Sequence, residues 1–285
     1  MGRTIACANQ KGGVGKTTTV INLAAYLALA GRRVLIVDLD PQGNATSGLA
    51  IDREGLDAST YDVLLGGAAL ADVAVPTSVE GLVVAPSTIA LAGAEVELAT
   101  ADGRERRLAR AILQGAGAFD DIFIDCPPSL GLLTVNALTA ADGVLVPVQC
   151  EYYALEGLGQ LVATIHLVRD HLNPGLAIDG ALLTMYDART NLAAEVAAEV
   201  RRHLTSAVYD AVIPRSVRLS EAPSYGQPIA TYRPDSKGAQ AYAALAKEFV
   251  ARRPRQGDVA LHEQQSAGRA DTRHPAVREY VGVEG

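Results

Sequence analysis

The chain alternates short, nearly continuous apolar runs with longer segments of helical periodicity. The apolar runs predict strands at 4–8, 33–38, 82–86, 121–125, 143–148 and 178–184, and the segments between them predict helices that include 16–30, 105–115, 154–171, 190–204 and 237–253. Strands without polar alternation are typical of a sheet buried on both faces, and strand–helix alternation favours parallel strands joined by right-handed crossovers. The pattern therefore predicts a doubly wound α/β domain, with a mostly parallel sheet and helices on both faces.

The periodic pattern stops near residue 253. We predict one domain over residues 1–253 and a disordered C-terminal tail over 254–285, because the last segment is rich in polar residues and follows no period. Six arginines and five acidic residues from 252 onward nearly cancel in charge. The tail is therefore not predicted to be a polybasic or amphipathic membrane anchor.

Composition adds constraints on the class of protein. Of the 285 residues, 49% are hydrophobic, yet no uncharged apolar run approaches the ~20 residues that a membrane span needs. The N-terminus lacks the long apolar segment of a secretory signal, so we expect a cytoplasmic protein. The net charge of −7 argues against wholesale coating of nucleic acid but leaves a local basic patch open. Cys7, Cys126 and Cys150 lie in apolar runs without metal-ligand spacing and are predicted to be core residues.

A glycine-rich segment, KGGVGKTTT at 11–19, follows the first strand and opens the first long helix. This context predicts a phosphate-binding loop, because a helix N-terminus offers unpaired N–H groups and glycines let the backbone approach an anion. Lys16 is expected to reach the terminal phosphate oxygens and the Thr17 hydroxyl to ligate Mg²⁺. The usual pattern has a glycine where this chain has Gln10, and here a second lysine, Lys11, follows it. The predicted binding residues are Lys11, Gly12, Gly13, Val14, Gly15, Lys16, Thr17 and Thr18.

Acidic residues follow two other predicted strands. Asp38 and Asp40 end the second strand and lie on one face of it. Asp125 ends the fourth strand, before two prolines that break it. In phosphate-loop proteins an aspartate at a neighbouring strand tip holds Mg²⁺, so we assign this role to Asp125.

Several segments together carry a family resemblance. The loop KGGVGKTTT, followed in order by DLDPQGNAT, DCPPSLG, TMYDARTNL and IPRSVRLSEAPSYGQPI, closely resembles the deviant Walker A motif and later motifs of ParA/Soj-type partition ATPases, from about residue 3 to 250. The resemblance implies two subunits that sandwich two ATP molecules with Mg²⁺, and a Lys11 that crosses to the phosphates bound by the partner subunit. It implies that Asp40 positions the attacking water, that Asp38 supports the Mg²⁺ site, and that 43–48 is a switch loop. The implied catalytic residues are Lys11, Lys16 and Asp40, and the implied metal residues are Thr17, Asp40 and Asp125.

The same resemblance implies contacts outside the loop. Pro214 and Ser216 match the adenine-contacting segment, although the family pattern has Asn where this chain has Ser216. Arg189 and Arg218 match positions of a DNA-binding surface that forms across the dimer without reading sequence. The implied partners are non-specific double-stranded DNA, a second copy of the chain, and a ParB-like centromere-binding protein that stimulates hydrolysis. The implied location is the cytoplasm, on the nucleoid, without a membrane.

Three alternatives use the same loop. A MinD-like membrane-cycling ATPase that positions division sites or other cargo needs a C-terminal amphipathic anchor, which 254–285 does not supply. An enzyme that uses the loop for metabolic or electron-transfer chemistry, such as a nitrogenase-reductase-like protein, needs paired cysteines to hold a cluster between subunits, and Cys126 has no second cysteine in suitable context. A scaffold that binds DNA without hydrolysing ATP is disfavoured by the lysines and acids of the predicted site.

Overall fold

The computed structural model describes residues 2–115, 117–151, 154–204 and 207–252, so the predicted tail at 254–285 lies outside the described residues. A compact unit spans Met1–Glu248, and a second unit begins at Phe249 with the last turn of the final helix. The domain boundary near residue 253 remains a prediction.

One sheet runs through the first unit. Its strands are β1 (Arg3–Cys7), β2 (Val34–Asp38), β3 (Val75–Pro76), β4 (Leu82–Ala85), β5 (Asp121–Asp125), β6 (Gly143–Gln149), β7 (Ala177–Tyr186) and β8 (Val208–Pro214). They are ordered β3-β4-β2-β5-β1-β6-β7-β8, and all neighbours are parallel except β3 and β4. The prediction of a mostly parallel, doubly wound α/β fold is confirmed.

Helices connect the strands. They are α1 (Lys16–Leu29), α2 (Asn44–Gly48), α3 (Thr60–Leu65), α4 (Leu70–Val73), α5 (Leu91–Glu97), α6 (Arg107–Gly115), α7 (Leu132–Ala140), α8 (Ala154–His171), α9 (Asn191–Leu204), α10 (Val217–Glu221), α11 (Ile229–Tyr232) and α12 (Lys237–Ala251), with 3₁₀ turns at Arg104–Arg106 and Ala222–Tyr225. The five long helices named from the pattern are present, with ends that differ by a residue or two where they differ.

The core lies on both faces of the central strands. Every residue of β2 and β5 is buried, which explains why their sequences show no polar alternation. In the sheet, β5 and β2 lie on one side of β1, and β6 lies on its other side. The strand order thus reverses at β1, and ligands of open α/β sheets bind at the carboxyl end of such a switch point.

Strand β8 was missed by the pattern analysis, as was the two-residue strand β3. In edge strand β8, Val208, Tyr209 and Ile213 are buried, whereas Asp210 is exposed and interrupts the apolar run. Tyr209 is buried against Gly180 of β7, where an added Cβ would lie 2.5 Å from the tyrosine ring. The Glu248 carboxylate accepts hydrogen bonds from the Asp210 and Ala211 N–H groups, at 2.8 and 2.9 Å, so the strand's outer edge is partly covered.

Candidate nucleotide-binding site

The predicted phosphate loop joins β1 to α1 at the switch point. Gly13 and Gly15 have φ values of +74° and +88°, in the left-handed region that favours glycine. Gly15 precedes the first residue of α1 and has no side chain with which to cap the helix. The first-turn N–H groups of α1 are therefore oriented toward the loop as an anion site would require.

Two neighbouring strands hold the loop in shape. Asn9 donates from Nδ2 to the Pro147 carbonyl of β6 at 2.7 Å, and its Oδ1 accepts from the Lys11 N–H at 3.0 Å. Thr184 of β7 donates from its hydroxyl to the Val14 carbonyl at 2.8 Å. Asn9 and Thr184 are positioning residues that the sequence analysis did not identify.

The two lysines of the loop lie in different environments. Lys16 is 7% exposed, and its ammonium donates to the Lys11 carbonyl at 3.3 Å within the loop. The Lys11 side chain is 36% exposed and pairs with Glu151, with 3.6 Å between Nζ and Oε2. The Lys11 ammonium is therefore engaged at the rim of the loop, whereas the Lys16 ammonium lies inside it.

Asp125 carries the strongest electrostatic signature in the site. It is fully buried at the end of β5, and neither carboxylate oxygen makes a hydrogen bond of normal length and angle within the described part of the chain, although the Thr17 hydroxyl lies close enough to favour the charged form. Burial and the nearby Asp38 raise its pKa well above the usual range, while Thr17 and Lys16 lower the pKa by less. A buried carboxylate without such a hydrogen bond, next to a threonine hydroxyl, fits one corner of a Mg²⁺ site.

The Asp38 carboxylate accepts hydrogen bonds from two nearby residues. Its Oδ2 accepts from the Thr46 N–H at 2.9 Å and from the Thr46 hydroxyl at 2.7 Å, while Oδ1 accepts from the Asp40 N–H at 3.2 Å. Burial raises the pKa of Asp38 to about 6, even though the hydrogen bonds from Thr46 lower it. Through Thr46, the Oδ2 atom of Asp38 is bound to the predicted switch segment 43–48, whose residues Asn44–Gly48 form α2. Support of the Mg²⁺ site by Asp38 remains a prediction.

Asp40 lies three residues before this switch segment. It is 6% exposed, and its Oδ1 accepts from the Gln42 N–H at 2.9 Å. The hydroxyl of Ser87, a fully buried residue after β4, donates to the Asp40 carbonyl at 2.7 Å, and the Ser87 N–H donates to the Thr46 hydroxyl at 2.9 Å. Ser87 thus connects Asp40 to Thr46 of the switch segment, and it is a further positioning residue that the sequence did not indicate.

The acids do not form a metal cage by themselves. Among the described residues, no group of three or more His, Cys, Asp or Glu side chains is arranged to hold a metal ion. Mg²⁺ is commonly bound through one or two protein ligands together with substrate phosphates and water. The predicted set of Thr17, Asp40 and Asp125 is compatible with that mode.

A cleft of about 270 Å³ adjoins the first turn of α1. Its lining includes Thr17, Thr18, Asn22, Ser47 and Pro223. The predicted base contacts lie elsewhere along the chain, with Pro214 at the end of β8 and Ser216 directly before α10. Their assignment to the adenine remains a prediction.

The two arginines predicted to bind DNA each have an acidic partner. Arg189, between β7 and α9, forms a two-pronged pair with Asp187 at 2.8 and 2.7 Å, and its hydrogen bonds lower the pKa of Asp187. Arg218 of α10 pairs with Glu221 at 2.7 Å and lowers the pKa of that carboxyl as well. Both arginines are more than half exposed and follow neighbouring strands at the carboxyl side of the sheet.

Two predictions made from composition can be compared with the structure. Cys7, Cys126 and Cys150 are buried free thiols, as predicted. Within the residues that the structure describes, no helix is both long and apolar enough to cross a membrane.

Comparisons with known proteins agree on one family. A family model described as an AAA domain matches residues 2–178. The sporulation initiation inhibitor protein Soj of Bacillus subtilis is 59% identical over 251 residues, which cover 88% of this chain and 99% of Soj. The chromosome-partitioning ATPase Soj of Thermus thermophilus is 55% identical, over 88% of this chain and 96% of its own length.

A solved structure has a similar fold and a different name. Cobyrinic acid a,c-diamide synthase from Mycobacterium smegmatis, with a bound ATP analogue and magnesium, is 44% identical, with a TM-score of 0.78 over 88% of this chain and 95% of the synthase chain. That name denotes a synthase, but the identity is lower than to the two Soj proteins.

The reversed strand order at β1, the left-handed glycines before α1 and the buried Asp125 define a P-loop nucleotide-binding protein. Its similarity to the Soj proteins extends over nearly their whole length. The chain belongs to the ParA/Soj family of chromosome-partitioning ATPases.

Proposed function

We propose that this protein is an ATP-dependent dimeric switch for segregating a chromosome or plasmid. In this proposal it binds ATP with Mg²⁺, dimerises in the ATP state, holds DNA without reading its sequence, and returns to the monomer when ATP is hydrolysed. The proposal rests on membership of the partition family together with the geometry of the loop, and on a relative that is named as a chromosome-partitioning ATPase.

The observation that carries the proposal is the different placement of the two lysines. Lys16 is buried within the loop, and in this proposal it serves the phosphates of its own subunit. Lys11 is partly exposed at the rim of the loop, where a second subunit could approach it. A cation supplied from a partner stabilises the charge that develops on the γ-phosphate and its leaving oxygen. ATP would then join the two subunits, and hydrolysis would separate them.

The remaining site residues have separable roles in this proposal. Thr17 and Asp125 would hold Mg²⁺, with Asp40 nearby, and bound Mg²⁺ supplies positive charge to the phosphates. The Asp40 carboxylate orients the attacking water. Asp38, through Thr46, keeps the switch segment close to the site, so that the segment can respond to the terminal phosphate.

DNA binding is proposed to follow from dimerisation. The net charge of −7 and the acidic partners of Arg189 and Arg218 make a single subunit a weak ligand for DNA. Two subunits would bring two copies of each arginine to one duplex, and binding several phosphates at once raises affinity. We also propose that a ParB-like centromere-binding protein stimulates hydrolysis, and that the protein works in the cytoplasm on the nucleoid.

The test is the oligomeric state in each nucleotide condition. Size-exclusion chromatography with light scattering should give a dimer with ATP and Mg²⁺, and a monomer with ADP or without nucleotide. Lys11→Ala should retain ATP binding, because Lys16 and the loop amides remain, but it should lose the dimer. Lys247→Ala, at an exposed position on α12, is the matched control and should behave as the parent. A Lys11→Ala protein that dimerises as the parent does would refute the crossing lysine.

A further inference from the structure

We propose that Glu151 is a latch that holds the Lys11 side chain on its own subunit until ATP and a partner subunit compete for it. This inference rests on the proposed function, in which Lys11 crosses to the partner. The latch is a carboxylate at the end of β6, shared between two cations that come from different loops.

The two oxygens of the Glu151 carboxylate lie next to different cations. Oε2 lies 3.6 Å from the Lys11 ammonium, in the loop after β1. Oε1 lies 3.3 Å from an Arg215 guanidinium nitrogen, in the segment after β8, and also accepts from Gln149 Nε2 at 2.6 Å. Glu151 therefore joins the nucleotide loop to the segment between Pro214 and Ser216.

The Lys11 backbone is fixed independently of its side chain. Its N–H donates to Asn9, and its carbonyl accepts from Lys16, so the loop keeps its shape whichever way the side chain turns. Among the described residues, Glu151 is the acid that forms an ion pair with Lys11. The side chain can thus leave Glu151 without rearrangement of the loop.

Arg215 lowers the free-energy cost of moving the Lys11 side chain away from Glu151. If Lys11 left a carboxylate that had no other cation, that acid would lose its compensating charge. Here Arg215 remains within ion-pair distance and continues to neutralise Glu151. Both ion pairs are partly exposed to water, since Lys11, Glu151 and Arg215 are 36%, 46% and 66% exposed. Such pairs change an equilibrium by about twofold to fivefold, so Glu151 biases the position of Lys11 without blocking its transfer.

Two substitutions should shift dimerisation in opposite directions. Glu151→Gln removes the charge that retains Lys11, so the ATP dimer should form more tightly, by about twofold to fivefold for each of its two latches. Arg215→Gln removes the second cation beside Glu151, so that Glu151 pairs with Lys11 alone and retains it more strongly. The ATP dimer should therefore weaken by a similar factor. A general structural defect would weaken the dimer in both variants, and the opposite signs therefore separate the latch from misfolding.

The measurement is the dimer dissociation constant, determined by sedimentation equilibrium with Mg²⁺ and a non-hydrolysable ATP analogue. The affinity of each variant for a fluorescent ATP analogue is measured at low protein concentration, where the protein is monomeric. This control separates a change in nucleotide binding from a change in dimerisation. Glu80→Gln makes the same change in net charge at an exposed position in the β3–β4 turn, and should dimerise as the parent does.

The outcomes distinguish the latch from the function on which it rests. If Lys11→Ala still forms the ATP dimer, the crossing lysine fails, whatever Glu151 does. If Lys11→Ala is monomeric and Glu151→Gln dimerises no more tightly than the parent, the latch is wrong. A weaker Glu151→Gln dimer would also overturn it, since the carboxylate would then support the dimer. In the Lys11→Ala background, Glu151→Gln should have no effect on self-association.

Discussion

Asp125→Asn should change stability and ligand response in opposite directions. The Asp125 carboxylate is fully buried, and neither of its oxygens makes a hydrogen bond of normal length and angle in the described chain. A buried polar group without a partner costs about 1–3 kcal/mol, and more when it is charged. The amide of asparagine is also polar and buried there but carries no charge, so the substitution removes only the extra cost of the charge and should raise the free energy of unfolding of the metal-free protein by about 1 kcal/mol. For a domain of this size, that corresponds to an increase of about 2–4 °C in the melting temperature.

The difference in the free energy of unfolding between Asp125→Asn and the parent should depend on pH in a defined direction. Burial, followed by the charge of Asp38, raises the pKa of Asp125, so the folded protein binds this proton more tightly than the unfolded chain does. The resulting stability is present below the unfolded pKa and is lost as the pH rises through the folded pKa. The advantage of Asp125→Asn over the parent should therefore be small in acid and grow toward neutral pH.

The assay is urea and thermal unfolding with EDTA over a series of pH values, repeated with ATP and Mg²⁺. At a hundred times its dissociation constant, a ligand adds about 2.7 kcal/mol to the parent, and Asp125→Asn should lose the Mg²⁺-dependent part of that gain. Asp121→Asn is the control, because Asp121 begins the same strand, is also buried, and pairs with Arg32. It should lower stability by about 1–3 kcal/mol.

Two results would refute this reasoning. A metal-free Asp125→Asn protein that is less stable than the parent would mean that the carboxylate has a structural partner. A variant that gains as much from Mg²⁺ as the parent does would remove Asp125 from the metal site.

Three other substitutions test the rest of the site. Asp40→Ala should give a long-lived ATP dimer that stays on DNA when the stimulating partner is added; an ATP-bound monomer in light scattering would instead assign Asp40 a structural role. Ser87→Ala should lower stimulated hydrolysis about fivefold, because a hydrogen bond to the Asp40 segment is worth about 1 kcal/mol, with nucleotide affinity unchanged in a binding titration; equal losses in both would contradict positioning. Arg218→Glu should abolish DNA binding but not the ATP dimer. In fluorescence anisotropy on two unrelated duplexes, the parent should lose about 100-fold in affinity between 50 and 200 mM salt, for about four neutralised phosphates; equal binding with ADP would contradict nucleotide gating.

The sequence predicted the central sheet because its strands are buried on both faces and therefore read as continuous apolar runs. Strand β8 did not follow that rule, since one of its faces is partly exposed and Asp210 interrupts the run. The two residues of β3 are too few to form a pattern. The pattern of apolar residues reports burial against the core. It therefore predicts central strands better than strands at the edges of the sheet.

The phosphate loop could be predicted because its residues are contiguous. Its supports could not, because each support is brought to the loop by the order of the strands. Asn9 bonds a carbonyl 138 positions away, and Thr184 bonds one 170 positions away. Ser87 and Glu151 act in the same way, as single polar residues after apolar strands, and their partners become evident once β4 and β6 are placed in the sheet.

The central position of β1 also determines when a newly made chain can become active. The first strand pairs with β5 and β6, and the loop that follows it is fastened to Pro147 and Thr184. At about 5–20 residues per second, synthesis needs roughly 10–35 s to reach Thr184. Until then the first sixteen residues, which include every loop glycine and both lysines, lack at least one of the contacts that give them their shape. A nascent chain released before that point would carry the whole nucleotide motif and still be unable to use it.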